Sequence, residues 1–303
     1  MPIAVRPSFL RSNNRLLFAL LAGWFALIPL PSFAQITIFN SNGFESPSYT
    51  AGPLVGGSPQ QGWITTDLNN GSTPAAVIQS TNVFQGSQAL QVIGPNLAND
   101  FLFSYQSFWY QDSSSLGILP YNPVLDGRPM VTVRWQQFLD GSFNTPGQIP
   151  FAGIYLEGLT ASGTQQMITS VLFSNDGRVR AITTGGSSVQ SAPLSNPFNR
   201  WVEFQADFNF STQRFRVVAD GLIILNNIAF RNTNGATNRL QEFGIQASAI
   251  DLISPPPTNN TYYDNFMVTA DAVPEPSTLL LIGCTGLGYW AYRRRQNKLQ
   301  HLQ

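Results

Sequence analysis

The chain has 303 residues with 16 basic and 16 acidic side chains, and charged residues make up only 11% of it. This composition fits neither a disordered polyelectrolyte nor a basic nucleic-acid-binding protein, so no nucleic-acid partner is expected. The single Cys284 and the single His301 both lie near the C-terminus. Disulfides, His-dependent catalysis and His/Cys metal sites are therefore excluded from the rest of the chain, where any metal would be a hard cation bound by oxygen.

The N-terminus has the three-part layout of a secretory signal peptide. Arg11 and Arg15 precede an apolar run over residues 16–30, and Ser32-Phe33-Ala34 places small residues at the −3 and −1 positions of a cleavage site between Ala34 and Gln35. We expect a signal helix, export by the Sec machinery and cleavage by signal peptidase. The alternative is an uncleaved membrane anchor, which two prolines at the end of the run disfavour.

The middle of the chain is acidic. Residues 35–272 contain nine arginines, no lysine and fifteen acidic residues, a net charge of −6, and the neutrality of the whole chain comes from its two basic ends. A segment of this length is within the range of one large sandwich domain. We therefore expect three parts, which are a signal peptide (1–34), a single domain (35–272) and a C-terminal segment (273–303).

Short β-rich runs separated by turn-forming residues recur along this domain, and no long stretch has apolar residues at helical spacing. They predict strands near residues 35–40, 88–93, 130–139, 166–174, 178–184, 200–208, 214–219, 222–225, 242–247 and 262–269. The stretches 50–76, 97–127, 141–147 and 226–237 are predicted to be loops, which often carry the binding surface of such a scaffold.

The segment 201–208 shows the clearest alternation. Val202, Phe204, Ala206 and Phe208 are predicted to face the core, and Trp201, Glu203, Gln205 and Asp207 to face solvent. Asn175-Asp176-Gly177 supplies a tight hairpin between two other strands. These patterns predict an all-β fold, a two-sheet antiparallel sandwich or jelly roll.

Short motifs of the domain resemble those of the concanavalin A-like and laminin-G-like jelly rolls. They are Asn42-Gly43-Phe44-Glu45, Gln61-Gly62-Trp63, the run 200–204 followed by 215–221, and Tyr263-Asp264-Asn265-Phe266. The opening and closing motifs also resemble those of β-sandwich carbohydrate-binding modules. The resemblance implies that the first and last strands pair and that a structural calcium ion lies near Glu45 and Asp264. The alternative is that Asp264 caps a turn and Glu45 is solvated.

An aromatic-rich stretch provides candidate sugar contacts. Its members are Phe101, Phe103, Tyr105, Phe108, Trp109, Tyr110 and Tyr121. Aromatic rings stack on sugar faces, so Trp109 and Tyr110 are predicted to contact a polysaccharide. The alternative is that these rings belong to the core.

No catalytic residues are predicted. Glu203 and Asp207 point the same way on one strand, but they are about 13 Å apart at about 3.3 Å per residue. The two carboxylates of a glycosidase are about 5 to 9.5 Å apart. The expected role is non-catalytic carbohydrate binding, and the alternatives are a glycoside hydrolase or polysaccharide lyase on the same scaffold, or a purely structural envelope protein.

The C-terminal segment combines three features in order. Pro274, Glu275 and Pro276 form a stiff extended spacer, an apolar stretch follows over 279–292, and Arg293-Arg294-Arg295 closes it. The positive-inside rule would keep these arginines in the cytoplasm and place the domain outside. The segment resembles the bacterial PEP-CTERM sorting signal, which implies transient anchoring in the inner membrane by an apolar helix, processing by an exosortase near the Pro-Glu-Pro and delivery to the cell surface or exopolysaccharide matrix.

Overall fold

The structure, a computed structural model, describes residues 35–56, 58–67, 76–93, 100–107, 121–141, 149–250 and 260–271. The predicted signal helix and the predicted C-terminal helix lie outside these residues. Within them, no helix is long and apolar enough to cross a membrane.

The regular elements of the described residues are strands, apart from three short 3-10 helices at Asn42–Phe44, Gln60–Gly62 and Thr184–Gly186. In chain order the strands are β1 (Ile36–Asn40), β2 (Gly52–Pro53), β3 (Val55–Gly56), β4 (Ser58–Pro59), β5 (Ile64–Asp67), β6 (Ala76–Gln79), β7 (Ala89–Ile93), β8 (Asp100–Ser107), β9 (Met130–Leu139), β10 (Ile149–Thr160), β11 (Gln165–Ser174), β12 (Val179–Ile182), β13 (Ser188–Gln190), β14 (Trp201–Asn209), β15 (Arg214–Ala219), β16 (Leu222–Ala229), β17 (Thr237–Ile250) and β18 (Asn260–Asp271).

The strands form two antiparallel sheets. One has nine strands in the order β16-β15-β14-β9-β18-β7-β6-β2, with β1 also paired to β18, and the other has seven in the order β13-β12-β11-β10-β17-β8-β5. Strands β3 and β4 form a separate small hairpin. The predicted all-β, two-sheet antiparallel fold and the predicted pairing of the first and last strands are confirmed.

The hydrophobic core takes residues from both sheets. The core side of the alternation predicted for β14 is confirmed, because Val202, Phe204 and the other even-numbered side chains of this strand are buried. Asp207, predicted to face solvent, is buried as well, because hydrogen bonds from neighbouring side chains cover its carboxylate. The indole of Trp135 stacks on the ring of Phe204 with centroids 5.1 Å apart. Across the sandwich, the buried Tyr263 hydroxyl donates to the Gly153 carbonyl oxygen at 3.2 Å, which ties the last strand to the opposite sheet.

Three loop predictions were wrong. The predicted loop 97–127 contains β8, the predicted loop 50–76 contains four short strands, β2 to β5, and β16 continues to Ala229 into the predicted loop 226–237. The twelve-residue strand β10 was not predicted at all. All of its residues from 151 to 160 except Glu157 are buried, so side chains on both of its faces are covered and the sequence shows no alternation.

Candidate functional site

A gap in the pairing along β18 creates the first part of the site. One edge of β18 pairs with β7 over residues 260–263 and with β1 over 267–270, so the two partners leave a break at Asp264 and Asn265. The register with β9 shifts at the same place. The turn that follows β1 and the 84–88 loop that precedes β7 therefore meet at Asp264.

Asp264 holds the start of the 84–88 loop. Its side chain is buried, and its Oδ2 accepts hydrogen bonds from the backbone N–H groups of Phe84 and Gln85, each at 3.1 Å. Its Oδ1 accepts from the backbone N–H of Asn265 at 2.7 Å. Burial raises the pKa of Asp264, these hydrogen bonds oppose that effect, and the charge of Glu45 raises it further.

Glu45 holds the end of the same loop. Its Oε1 accepts from the backbone N–H groups of Ser87 at 2.6 Å and Gln88 at 2.8 Å, and its Oε2 accepts from the Ser87 hydroxyl at 2.6 Å. Partial burial raises the pKa of Glu45, but the hydrogen bonds from Ser87 and Gln88 outweigh burial and hold the pKa below its usual value. The two carboxylates together bind four backbone N–H groups of one five-residue loop.

Two side-chain oxygens, of Asp264 and Asn265, lie beside Gly43. A Cβ at Gly43 would lie 3.2 Å from Asp264 Oδ1 and 3.3 Å from Asn265 Oδ1, so the glycine leaves a space beside both atoms. In the neighbouring segments, Ser41 Oγ and Gln88 Oε1 are buried and have no hydrogen-bond partner in the described structure. Carboxylate, amide and hydroxyl oxygens are the ligands that calcium prefers.

The charge available for such an ion is limited to two carboxylates. Among the described residues there is no group of three or more His, Cys, Asp or Glu side chains that could hold a metal. Neither Glu45 nor Asp264 forms a salt bridge there. A calcium ion at this place would rely on neutral oxygens for the rest of its coordination shell.

The second part of the site is a row of aromatic side chains on the outer face of the nine-stranded sheet, the face turned away from the core. Trp201 on β14 lies opposite Phe138 on β9, which lies opposite Tyr262 on β18. The ring centroids are 5.6 Å apart for Trp201 and Phe138 and 5.7 Å apart for Phe138 and Tyr262. Phe84 extends the row, with its ring 5.7 Å from Trp201 and 44% of its surface exposed.

The two parts of the site are connected through the 84–88 loop. Asp264 binds the backbone N–H of Phe84, and the Phe84 ring contacts Trp201. The carboxylates that the sequence analysis selected therefore position one end of the aromatic row, which we define as Phe84, Trp201, Phe138 and Tyr262. No local sequence pattern identifies this row, although the alternation in β14 places Trp201 on the solvent face.

The other predicted site residues are placed as follows. Gln35, the predicted first residue of the mature chain, donates from Nε2 to Thr269 Oγ1 at 3.2 Å and to Asp271 Oδ2 at 3.0 Å. The remaining predicted site residues lie outside the described residues, namely Ala34, Trp109, Tyr110, Pro274, Glu275, Pro276, Arg293, Arg294 and Arg295. Phe101, Phe103 and Tyr105, predicted to lie in a loop, belong to β8.

Comparison with known proteins identifies the C-terminal segment. Residues 272–295 match the PEP-CTERM protein-sorting motif. The match indicates an exported protein that is processed at the membrane by an exosortase-dependent sorting system. The resemblance seen in the sequence is confirmed, while the cleavage bond and the roles of individual residues stay predictions. No curated protein sequence matches the chain.

Several solved structures are similar to the chain at low sequence identity. A sialidase has 11% identity and a TM-score of 0.44, with 78% of this chain and 18% of the sialidase covered. The cellulose induced protein Cip1 has 11% identity and a TM-score of 0.45, with 72% and 96% covered. The family 7 alginate lyase A1-II′ has 13% identity and a TM-score of 0.40, with 64% and 82% covered. The chain thus spans less than a fifth of the sialidase.

Proposed function

Because residues 272–295 carry the PEP-CTERM protein-sorting motif, we propose that the sandwich domain is delivered to the cell surface or exopolysaccharide matrix and binds carbohydrate there without catalysis. In this proposal a signal peptide directs export, the apolar C-terminal segment holds the protein in the inner membrane, and an exosortase releases it. The observation that supports carbohydrate binding is the aromatic row on the outer face of the nine-stranded sheet.

The aromatic row lies on an outer sheet face, and of its four rings Tyr262 alone is buried, at 7% exposed. Phe84, Trp201 and Phe138 are only partly buried, and they form a continuous strip over adjacent strands instead of scattered single residues. A sugar ring presents an apolar C–H face that such rings can cover while its hydroxyls stay solvated. Polar side chains border the strip on the same strands, among them Glu203 and Gln136, which lie opposite each other.

Replacement of Trp201 tests the proposal. We expect Trp201→Ala to weaken retention of the 35–272 domain on extracellular polysaccharide in affinity electrophoresis by about tenfold or more, because an aromatic hot-spot residue typically carries about 2 kcal/mol or more of binding energy and about 1.4 kcal/mol is a factor of ten. Trp201→Phe should keep part of the affinity, and Leu222→Ala, at a 71% exposed position on the edge strand β16, should keep all of it. Unchanged retention of Trp201→Ala, with all variants folded, would contradict the proposal.

A carbohydrate-active enzyme is the second candidate. Glu157 on β10 lies directly opposite Glu242 on β17. Cross-strand neighbours have Cβ atoms about 5 Å apart, which is compatible with the carboxylate separation of about 5 to 5.5 Å in retaining glycosidases. Release of reducing ends from the same polysaccharides, abolished by Glu157→Gln, would favour this candidate over simple binding.

We also propose a structural calcium ion near Glu45 and Asp264, with Asn265 as a further oxygen ligand beside Gly43. Calcium at 100-fold excess over its Kd would stabilise the domain by about 2.7 kcal/mol. At about 2–4 °C per kcal/mol for a domain of this size, the melting temperature should rise by about 5–10 °C on going from EDTA to calcium. Glu45→Gln should reduce this rise, and equal melting temperatures in the two solutions would exclude the ion.

A further inference from the structure

A shallow cleft with both polar and apolar lining lies at the other end of the outer face that carries the aromatic row. It is open to solvent, has a volume of about 410 Å³ and is lined by side chains of β14, β15 and β16, including Asp207, Arg214, Arg216 and Asn226. Trp201 and Asp207 are six residues apart on β14 and face the same way. At about 3.3 Å per residue, the cleft and the aromatic row are about 20 Å apart along the strand.

Asp207 forms the floor of this cleft. It is only 5% exposed although it points away from the core. Its Oδ1 accepts from the Thr132 hydroxyl and from Gln205 Nε2, each at 2.8 Å, and its Oδ2 accepts from Arg216 Nε at 2.7 Å. A buried carboxylate bonded on three sides is a rigid anchor, and here it fixes the guanidinium group of Arg216 through one nitrogen.

The contact with Asp207 fixes the orientation of the Arg216 guanidinium group and leaves its terminal nitrogens available to a ligand. Its side chain is 47% exposed, and its two terminal nitrogens have no hydrogen-bond partner in the described part of the chain. Arg214 stands two residues away on the same face and donates from Nη1 to the Asn227 carbonyl oxygen at 2.7 Å. Arg134, on the far side of β14, donates from Nε to Gln205 at 3.0 Å.

The arginine side chains on this face indicate which chemical group the ligand carries. The domain has a net charge of −6 and contains no lysine, yet three of its nine arginines lie on one face of three adjacent strands. Each is held by one hydrogen bond. A guanidinium group presents paired N–H donors that match the two oxygens of a carboxylate, which an ammonium group cannot do.

We propose that this cleft binds the carboxylate groups of an acidic polysaccharide, a polymer of uronic acid, while the aromatic row binds sugar rings of the same chain. Arg216 and Arg214 hold the carboxylate, and Asn226 faces the sugar hydroxyls. This inference rests on the proposed function and specifies its ligand class. It explains why an acidic domain has an arginine-lined face on which, among the residues that the structure describes, Asp207 is the one acid that forms a salt bridge with these arginines.

The test compares one polymer in two chemical states. Polygalacturonate and its carboxyl-reduced, neutral form are offered to the 35–272 domain in affinity electrophoresis at fixed ionic strength. We expect the wild type to bind the acidic form at least tenfold more tightly than the neutral form. Arg216→Ala and Arg214→Ala should each lower affinity for polygalacturonate about tenfold and leave affinity for the reduced polymer unchanged.

Two further variants separate charge from geometry. Arg216→Lys keeps the charge and loses the paired donors, so it should recover only part of the affinity. Arg178→Ala removes a charge from a hairpin of the other sheet, where Arg178 lies 3.6 Å from Asp176, and should bind as the wild type does. Arg214→Ala is expected to disturb folding less than Arg216→Ala does. The Arg214 guanidinium group is bonded to a backbone carbonyl oxygen, whereas that of Arg216 is bonded to the buried Asp207.

The outcomes distinguish the two proposals. If the wild type binds and loses affinity in Trp201→Ala but not in Arg216→Ala or Arg214→Ala, the carboxylate site is wrong and carbohydrate binding stands. Equal affinity for acidic and reduced polymer, or a preference for a sulfated glucan over polygalacturonate, also overturns the carboxylate site. If neither polymer nor any neutral glucan is retained, the proposed function itself fails.

Discussion

Asp264→Asn is expected to lower the free energy of unfolding by about 3 kcal/mol, since hydrogen bonds to a charged acceptor contribute about 1.5–3 kcal/mol each. Asp264 accepts three backbone hydrogen bonds from a buried position. An amide has only one acceptor oxygen, so in either orientation its NH₂ group faces at least one of these N–H donors. The substitution keeps the shape of the side chain, and the loss can therefore be assigned to the acceptor and not to a cavity.

Urea denaturation in EDTA measures this effect without any contribution from metal. The matched control is Asp271→Asn on the same strand, where the carboxylate accepts from the side chain of Gln35 and not from a buried backbone group. We expect its effect to be within about 0.5 kcal/mol of zero, as for most surface substitutions. Hydrogen exchange at the Phe84 and Gln85 amides should accelerate only in Asp264→Asn. Equal stability and equal protection in both variants would show that the carboxylate does not hold the loop.

The same substitution connects stability to the proposed function. The backbone of Phe84, whose ring contacts Trp201, is held by Asp264. Loss of this bond would free the start of the 84–88 loop and the exposed end of the aromatic row, while Glu45 still holds the end of the loop and the cross-strand contacts of the other three rings remain. Carbohydrate affinity should then fall less in Asp264→Asn than in Trp201→Ala.

The sequence predicted the bounds and the core side of a strand best where the strand has one buried face and one solvent-exposed face. Strands β9 and β15 begin and end at the predicted residues, and the alternation in β14 identifies its core side. Strand β10 was missed because residues on both of its faces are buried, and its two glycines and one proline suggest a loop. Strand β8 was assigned to a loop because it lies in a long irregular stretch of the sequence.

The candidate site was likewise predictable from the sequence only in part. Glu45 and Asp264 could be selected from local motifs, and the structure brings them to the same loop. Their role as acceptors for backbone N–H groups depends on where β1 and β7 meet along β18, which no local pattern specifies. The aromatic row likewise joins residues 84, 138, 201 and 262, which become neighbours only through strand register. One signal was present, a tryptophan on the predicted wet face of β14.

Replacing Pro274, Glu275 and Pro276 together by alanine is expected to abolish C-terminal processing in a producing cell. The residues lie at the start of the matched sorting motif, and the sequence predicts that two prolines around a glutamate favour an extended backbone that a protease can reach. Three alanines remove both the rigidity and the charge that a processing enzyme would recognise. The wild-type protein should begin at Gln35, end near residue 274 and leave the inner membrane, whereas the variant should keep its tail and stay there.

Intact mass and membrane fractionation of both proteins measure this directly. Ser277→Ala with Thr278→Ala is the matched control, because it changes neighbouring residues of the same motif and leaves the Pro-Glu-Pro intact. This control should be processed as the wild type is. If wild type and triple variant both keep residues 273–303 in the membrane fraction, the segment acts as a permanent anchor. Carbohydrate binding by the sandwich domain would then attach the polysaccharide to the membrane surface, since the protein would not be released into the matrix.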